Sequence, residues 1–181
     1  MRYDAVEFLS LQPIAAPGQY KAKLSVDGVE QVSQFELSIN PNETYSKAQL
    51  REKKEFWMDL YNTAKTSSKQ LKTALATQEQ VMAKAEAKTA LMPQAEAVSA
   101  VVEEYKATYI PKGRTLAEII NQPAKIFSKM VWLHNMMESS EGPATQSMID
   151  QFADLKAQMS AADAAFEKDM KAAMAAFDSA S

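Results

Sequence analysis

Apolar residues return at helical spacing in four separate stretches after residue 46, and this rhythm constrains the chain more than any other feature. Leu50, Trp57, Ala64 and Leu71 recur every seven residues, Tyr61, Leu75 and Met82 fill the alternate three-four positions, and Leu60 widens the stripe. Such a seam predicts an amphipathic helix with one buried face. It starts at a capping box, Ser46-Lys47-Ala48-Gln49, in which Ser46 caps the first turn and Gln49 reaches back. The alanine-rich stretch 83–90 offers no clean stop.

Pro93 suits the first turn of a second helix, because its missing N–H would have no partner there. Val98, Val101, Val102, Tyr105 and Tyr109 form its inner face, and Ile110-Pro111-Lys112-Gly113 breaks it. A short helical turn is expected within 114–122, before Pro123. The third helix carries Ile126, Phe127, Met130, Val131, Leu133, His134 and Met137, and the turn Ser139-Ser140-Glu141-Gly142-Pro143 ends it. The fourth begins at Thr145 or Ser147. It keeps its rhythm through Met148, Phe152, Leu155, Met159, Ala162, Phe166, Met170, Ala173 and Phe177.

Before residue 41 the period changes to two. Tyr20, Ala22, Leu24 and Val26 alternate with polar residues, Asp27-Gly28 intervenes, and alternation resumes through Phe35, Leu37 and Ile39. Asp-Gly between alternating runs predicts a hairpin with a type I′ turn, which needs positive φ at both central residues. A two-residue turn pairs Val26 with Val29 and puts Tyr20, Leu24 and Val26 on the face of Phe35, Leu37 and Ile39. Residues 5–11 read as a further short strand anchored by Val6, Phe8 and Leu11. Two or three strands make a poor independent sheet.

The expected fold is therefore α+β, mainly α: an antiparallel four-helix bundle with an N-terminal β-hairpin that reads as part of an incomplete β-sandwich. Residues 1–41 form the hairpin segment and 42–181 the bundle. Its long helices run about 46–88 and 145–177, its shorter ones about 93–109 and 123–138. Heptad-like spacing favours shallow crossing, and short connections favour antiparallel neighbours, with the long pair extending beyond the short pair. A chain of 181 residues holds one such domain with a small appendage.

Composition removes many chemistries. Gly18, Gly28, Gly113 and Gly142 stand too far apart for a Walker loop or a dinucleotide fingerprint. With no cysteine and one histidine there is no thiol nucleophile, disulfide framework, cysteine–zinc site or multi-histidine metal cluster. A net charge of −3 argues against a nucleic-acid partner. No apolar run approaches the roughly 20 residues of a membrane span, and MRYDAVEFLS lacks the plan of a signal peptide.

The remaining candidates favour structural roles. His134 lies on the apolar stripe of the third helix, where Met130 and Val131 stand in place of the carboxylate of a Glu-x-x-His metal pair. Glu138, four residues on, is a local partner for it, and a satisfied core-edge histidine is expected. Glu103-Glu104 and Glu138 with Glu141 read as solvated faces rather than acid–base pairs. Arg51, Lys53 and Lys54 precede Phe56-Trp57, but Glu52 and Glu55 interrupt any positive field, and Trp57 belongs to the seam. Met130, Met136, Met137, Met148, Met159, Met170 and Met174 read as core filling rather than an adaptable groove. Asn42-Glu43-Thr44 matches a glycosylation triplet. No catalytic, cofactor-binding or metal-binding residue is assigned.

Three stretches carry a family resemblance: Met1-Arg2-Tyr3-Asp4-Ala5; Ala16-Pro17-Gly18-Gln19-Tyr20 through Leu24-Ser25-Val26-Asp27-Gly28; and Gln34-Phe35-Glu36-Leu37. With Asn121-Gln122-Pro123-Ala124-Lys125-Ile126 and Gly142-Pro143-Ala144-Thr145-Gln146-Ser147, they resemble the end of a family of large bacterial proteins. These carry sortilin-like or bacterial-neuraminidase-type repeats and are often labelled glycosyl hydrolases. In that family the first segments belong to a small fibronectin-like β-sandwich behind β-propeller domains. Asp4 directly after Arg2-Tyr3 and Asn40-Pro41 in place of Asp-Pro depart from its pattern. Ser25-Val26-Asp27-Gly28 lacks the spacing of a propeller aspartate box, so no catalytic residue carries over.

What the resemblance implies is a non-catalytic C-terminal accessory region of a larger exported protein, periplasmic or extracellular. Its partners would be upstream β-propeller and β-sandwich domains, and Met1 would correspond to an internal position. The alternatives are part of a carbohydrate-active hydrolase whose catalytic residues lie outside this chain, and a self-associating helical adaptor.

Overall fold

The computed structural model describes residues 13–42, 44–113, 118 and 121–180. Strands β1 (Gly18–Val26) and β2 (Val29–Leu37) form an antiparallel hairpin. Asp27 and Gly28 take φ of 50° and 82°, the left-handed pair that a type I′ turn demands. The register pairs Val26 with Val29, Tyr20 with Phe35 and Gly18 with Leu37, so the expected face assembles; Ile39 lies beyond the end of β2. Among the described residues the sheet has these two strands, and the strand expected at 5–11 falls outside those residues.

Among the described residues four α-helices are delimited: α1 (Lys47–Ala87), α2 (Met92–Tyr109), α3 (Ile126–Ser139) and α4 (Gln146–Ala180). The Ser46 capping box is complete: Gln49 N–H donates to Ser46 Oγ at 3.3 Å, and Ser46 N–H donates to Gln49 Oε1 at 2.9 Å. A 3₁₀ turn, Thr89–Leu91, joins α1 to α2, and Pro93 falls in the first turn of α2. Thr145 caps α4, accepting from Met148 N–H at 3.3 Å. Helix α3 starts at Ile126 rather than 123, since Pro123 and Ala124 remain outside it. The helical turn expected within 114–122 lies largely outside the described residues.

Contacts along the helices fix their directions. Phe56 meets Phe152 edge-on at 5.5 Å, Lys156 pairs with Asp59 at 3.1 Å, and Lys88 reaches the Ala180 carbonyl at 3.3 Å. Helices α1 and α4 therefore run in the same direction. Both shorter helices run against them. Gln78 on α1 donates to Ser99 at 2.6 Å near the start of α2, Trp57 bonds His134, and Lys53 donates to the Ser140 carbonyl beyond the end of α3. The pairs α1/α2 and α3/α4 are antiparallel neighbours, as expected. The connection between α2 and α3 does not reverse the chain, and both helices run in one direction. Gln122 ties the end of this connection back to Lys112, accepting its N–H at 3.1 Å and donating to its carbonyl. The short helices lie end to end, with Tyr109 and Phe127 ring to ring at 5.2 Å where they meet. The long pair does not project beyond a short pair; α2 and α3 cover its length in succession.

The buried column of α1 is Trp57, Leu60, Ala64, Ser67, Leu71, Ala74, Val81 and Ala85, with Ser68 beside it. Tyr61, Leu75 and Met82, expected at the alternate positions, stand one place further on and are only half-buried. The smaller Ser67 and Ala74 hold the seam because bulky rings from α2, Tyr105 and Tyr109, fill the same layer. A second cluster at the far end joins Val81 and Ala85 to Leu91, Ala95, Val98 and Phe177.

At the hairpin end, the α3–α4 turn is seated on the chain entering α1. Gly142 is buried, and a Cβ there would lie 2.5 Å from the Tyr45 ring. We expect Gly142→Ala to destabilise the bundle by about 1–3 kcal/mol through overpacking. Urea unfolding measures this, and adding Tyr45→Ala should recover part of the loss.

Candidate functional site

Beside its apolar seam, α1 carries a second column at three-four spacing: Thr63, Thr66, Gln70, Thr73 and Thr77. These uncharged polar residues face α4, and the two parallel helices leave an open groove between them. One hollow of about 610 Å³ is lined by residues including Asn62, Thr66, Gln70, Lys156, Ser160 and Glu167. Its neighbour, about 440 Å³, shares Thr66, Gln70, Asp163 and Glu167 and continues to Thr77 and Met170. The hydroxyls of Thr73 and Thr77 donate to backbone carbonyls one turn back, at 3.1 and 3.0 Å. Much of the column's hydrogen bonding is thus internal to α1.

The floor of the groove holds its most organised group. Tyr105 and Tyr109 of α2 both donate to Asp163 Oδ1 of α4, at 2.6 and 2.9 Å. Their rings meet edge-on at 5.1 Å, and Tyr105 stacks on Phe166 at 4.2 Å. Burial, reinforced by the bond to Asp163, raises the Tyr105 hydroxyl far above its ordinary range. Burial likewise pushes Tyr109 up to about 12. Both phenols are therefore neutral donors near pH 7, neither nucleophile nor base. Glu167, the other carboxylate lining both hollows, stands one turn from Asp163 on the same helix. Two carboxyl groups flanking a sugar from opposite sides, as glycoside hydrolysis requires, are not what these lining residues provide.

The residues singled out in the sequence lie elsewhere and do not converge. Trp57 Nε1–H donates to His134 Nδ1 at 2.7 Å in the core, with the rings edge-on at 5.2 Å. Burial lowers the His134 pKa, and the charge of Glu138 opposes this. The histidine is satisfied across helices, by Trp57, rather than by hydrogen bonding to Glu138. Glu103, Glu104, Glu138 and Glu141 are exposed, and Glu103 pairs with Lys106 at 3.1 Å. Lys53 lies 5.7 Å from the centre of the Trp57 ring and Lys54 5.9 Å from that of Tyr20, while Arg51 is exposed. Met130, Met137, Met148 and Met159 are buried; Met136, Met170 and Met174 flank the core. Asn42 is exposed, its N–H donating to Asn40 Oδ1, and Glu43 is outside the described residues.

Among the described residues no three His, Cys, Asp or Glu side chains gather as a metal site would require, and no helix is long and apolar enough to cross a membrane. No protein-family model, curated protein or solved structure matches the chain. The groove is not among the features expected from charged, aromatic and methionine residues. The signal was the uncharged column itself, repeating in step with the apolar one. Asp163→Ala removes the carboxylate that both phenols donate to and should cost about 1–3 kcal/mol. Asp163→Asn, which keeps an acceptor oxygen, should cost less, and chemical unfolding of both variants checks the order.

Proposed function

We propose that this chain is a non-catalytic structural and interaction module whose hairpin docks it onto further β structure. One observation carries the reading: the hairpin exposes apolar side chains, four of them on one face and Val32 on the other. Leu24, Val26, Val29, Val32 and Phe35 are 61%, 56%, 69%, 60% and 44% exposed. A two-stranded sheet with open edges is marginal in water, and a neighbouring strand or sheet would cover both the edges and these side chains. The base of the hairpin is tied to the bundle. The Tyr20 ring faces Lys54 at 5.9 Å, and Glu36 pairs with Lys47 at 3.8 Å. A partner gripping the hairpin would thereby position the helices.

The family resemblance supports a finer version: a C-terminal accessory region behind β-sandwich and β-propeller domains of an exported protein. Self-association is a second reading, favoured by Trp132 on α3, which is 53% exposed. Hydrogen exchange of the β1 and β2 amides, in the chain alone and joined to such upstream domains, tests the first. Rising protection and a higher unfolding temperature in the joined protein are expected; no association and no change in stability reject it. Sedimentation showing a strict monomer rejects the second.

A further inference from the structure

Trp57 and His134 join α1 to α3 at the hairpin end of the bundle, where several tertiary restraints converge. Lys53 donates to the Ser140 carbonyl just past α3, Tyr45 seats Gly142, and Ala16 to Tyr20 lie beside Arg51, Lys54 and Met58. Trp57 is 2% exposed and His134 8%. The indole Nε1–H can only donate, so His134 Nδ1 must be the unprotonated nitrogen of a neutral ring carrying its hydrogen on Nε2. A second proton has no place to go but Nδ1. That would set two N–H donors against each other across 2.7 Å inside an apolar cluster.

We propose that the Trp57–His134 pair is a pH-sensitive latch, clamping α3 to α1 while the imidazole is neutral and releasing that end of the bundle when it is protonated. The surrounding charges do not relieve the conflict. Glu138 on α3 is exposed and favours the protonated ring, but burial is the larger influence. From α1, Lys53 adds positive charge on the Trp57 side. Helix α4 contributes Met148, Phe152 and Leu155 to the cluster, while its Asp150, Asp154 and Lys156 are exposed and Lys156 turns to Asp59. From α2, Tyr105 and Tyr109 are directed to Asp163.

The sign of the pH dependence follows. The folded chain holds the His134 proton less tightly than the unfolded chain, whose value is 6.5. The latch therefore contributes its full stability above that value. The contribution falls as pH drops through 6.5 toward the lower folded value, and levels off below it.

The chain has one histidine and two tryptophans, so the test can be unambiguous. Trp132→Phe, an exposed position, leaves Trp57 as the sole indole. Titrating this variant from about pH 8 to about pH 5 should give an imidazole resonance with a midpoint below 6.5 and a Trp57 emission change with the same midpoint. Exchange protection of the α3 amides, corrected for intrinsic rates, should fall about tenfold over this range. Adding His134→Gln, whose amide oxygen still accepts from Trp57, should abolish that fall. An imidazole midpoint at or above 6.5, or the same loss of protection with Gln at 134, overturns the proposal. Should the Gln variant fail to fold, the imidazole resonance and Trp57 emission decide the matter alone.

Discussion

The buried column along α1 is the constraint on which the rest of the molecule depends. From Trp57 to Ala85 it offers a contact surface along most of the helix, with one turn skipped between Ala74 and Val81. Each large side chain in it is worth about 1.5–3 kcal/mol when fully buried, but only if something covers it. A helix of 41 residues is ~60 Å long at 1.5 Å per residue. Neither α2, of 18 residues, nor α3, of 14, can cover that alone. Placing them end to end resolves the mismatch, and the Gln122–Lys112 bond ties together the ends of the connection between them. Helix α4, of 35 residues, packs along α2 and α3 and closes the far side of the core in one piece.

The same arrangement creates the groove. With α2 wedged between the long helices, α1 and α4 meet only along their flanks, and the uncharged column Thr63 to Thr77 is left facing α4 across an opening. Asp163 binds α4 to α2 at the floor, where two phenols converge on one carboxylate oxygen. Hydrogen bonds to a charged acceptor are stronger than neutral ones, and here they set the register of α2 against α4. Toward the hairpin end, Trp57 and His134 do the same for α1 and α3. The polar contacts thus specify how the helices align, while apolar burial supplies most of the stabilisation.

The hairpin stands apart from this economy. Its turn chemistry and cross-strand pairs, including the Tyr20–Phe35 stack at 6.0 Å and the Lys23–Glu30 ion pair at 2.5 Å, are locally consistent. Yet most of its apolar side chains remain in water. The two buried clusters lie within the helices, whereas the hairpin adds little to either of them.

Local chemistry alone determined much of this protein. Ser46 and Gln49, Asp27-Gly28, Pro93 and Thr145 set the starts and turns through short-range hydrogen bonds and backbone preferences, which act before any tertiary contact exists. The three-four rhythm identified the helices and most of their buried faces. Tertiary structure decided what such signals leave open. It buried Leu60, Ala74 and Val81 in place of their neighbours Tyr61, Leu75 and Met82, and beside Ala74 the space is filled by rings from α2. It placed α2 and α3 in series rather than side by side, because helix direction depends on the length and closure of a loop. It gave His134 a partner 77 residues away, and it brought Tyr105, Tyr109 and Asp163 together. Periodicity reports which side of a helix is buried; what lies opposite is settled only when the helices meet.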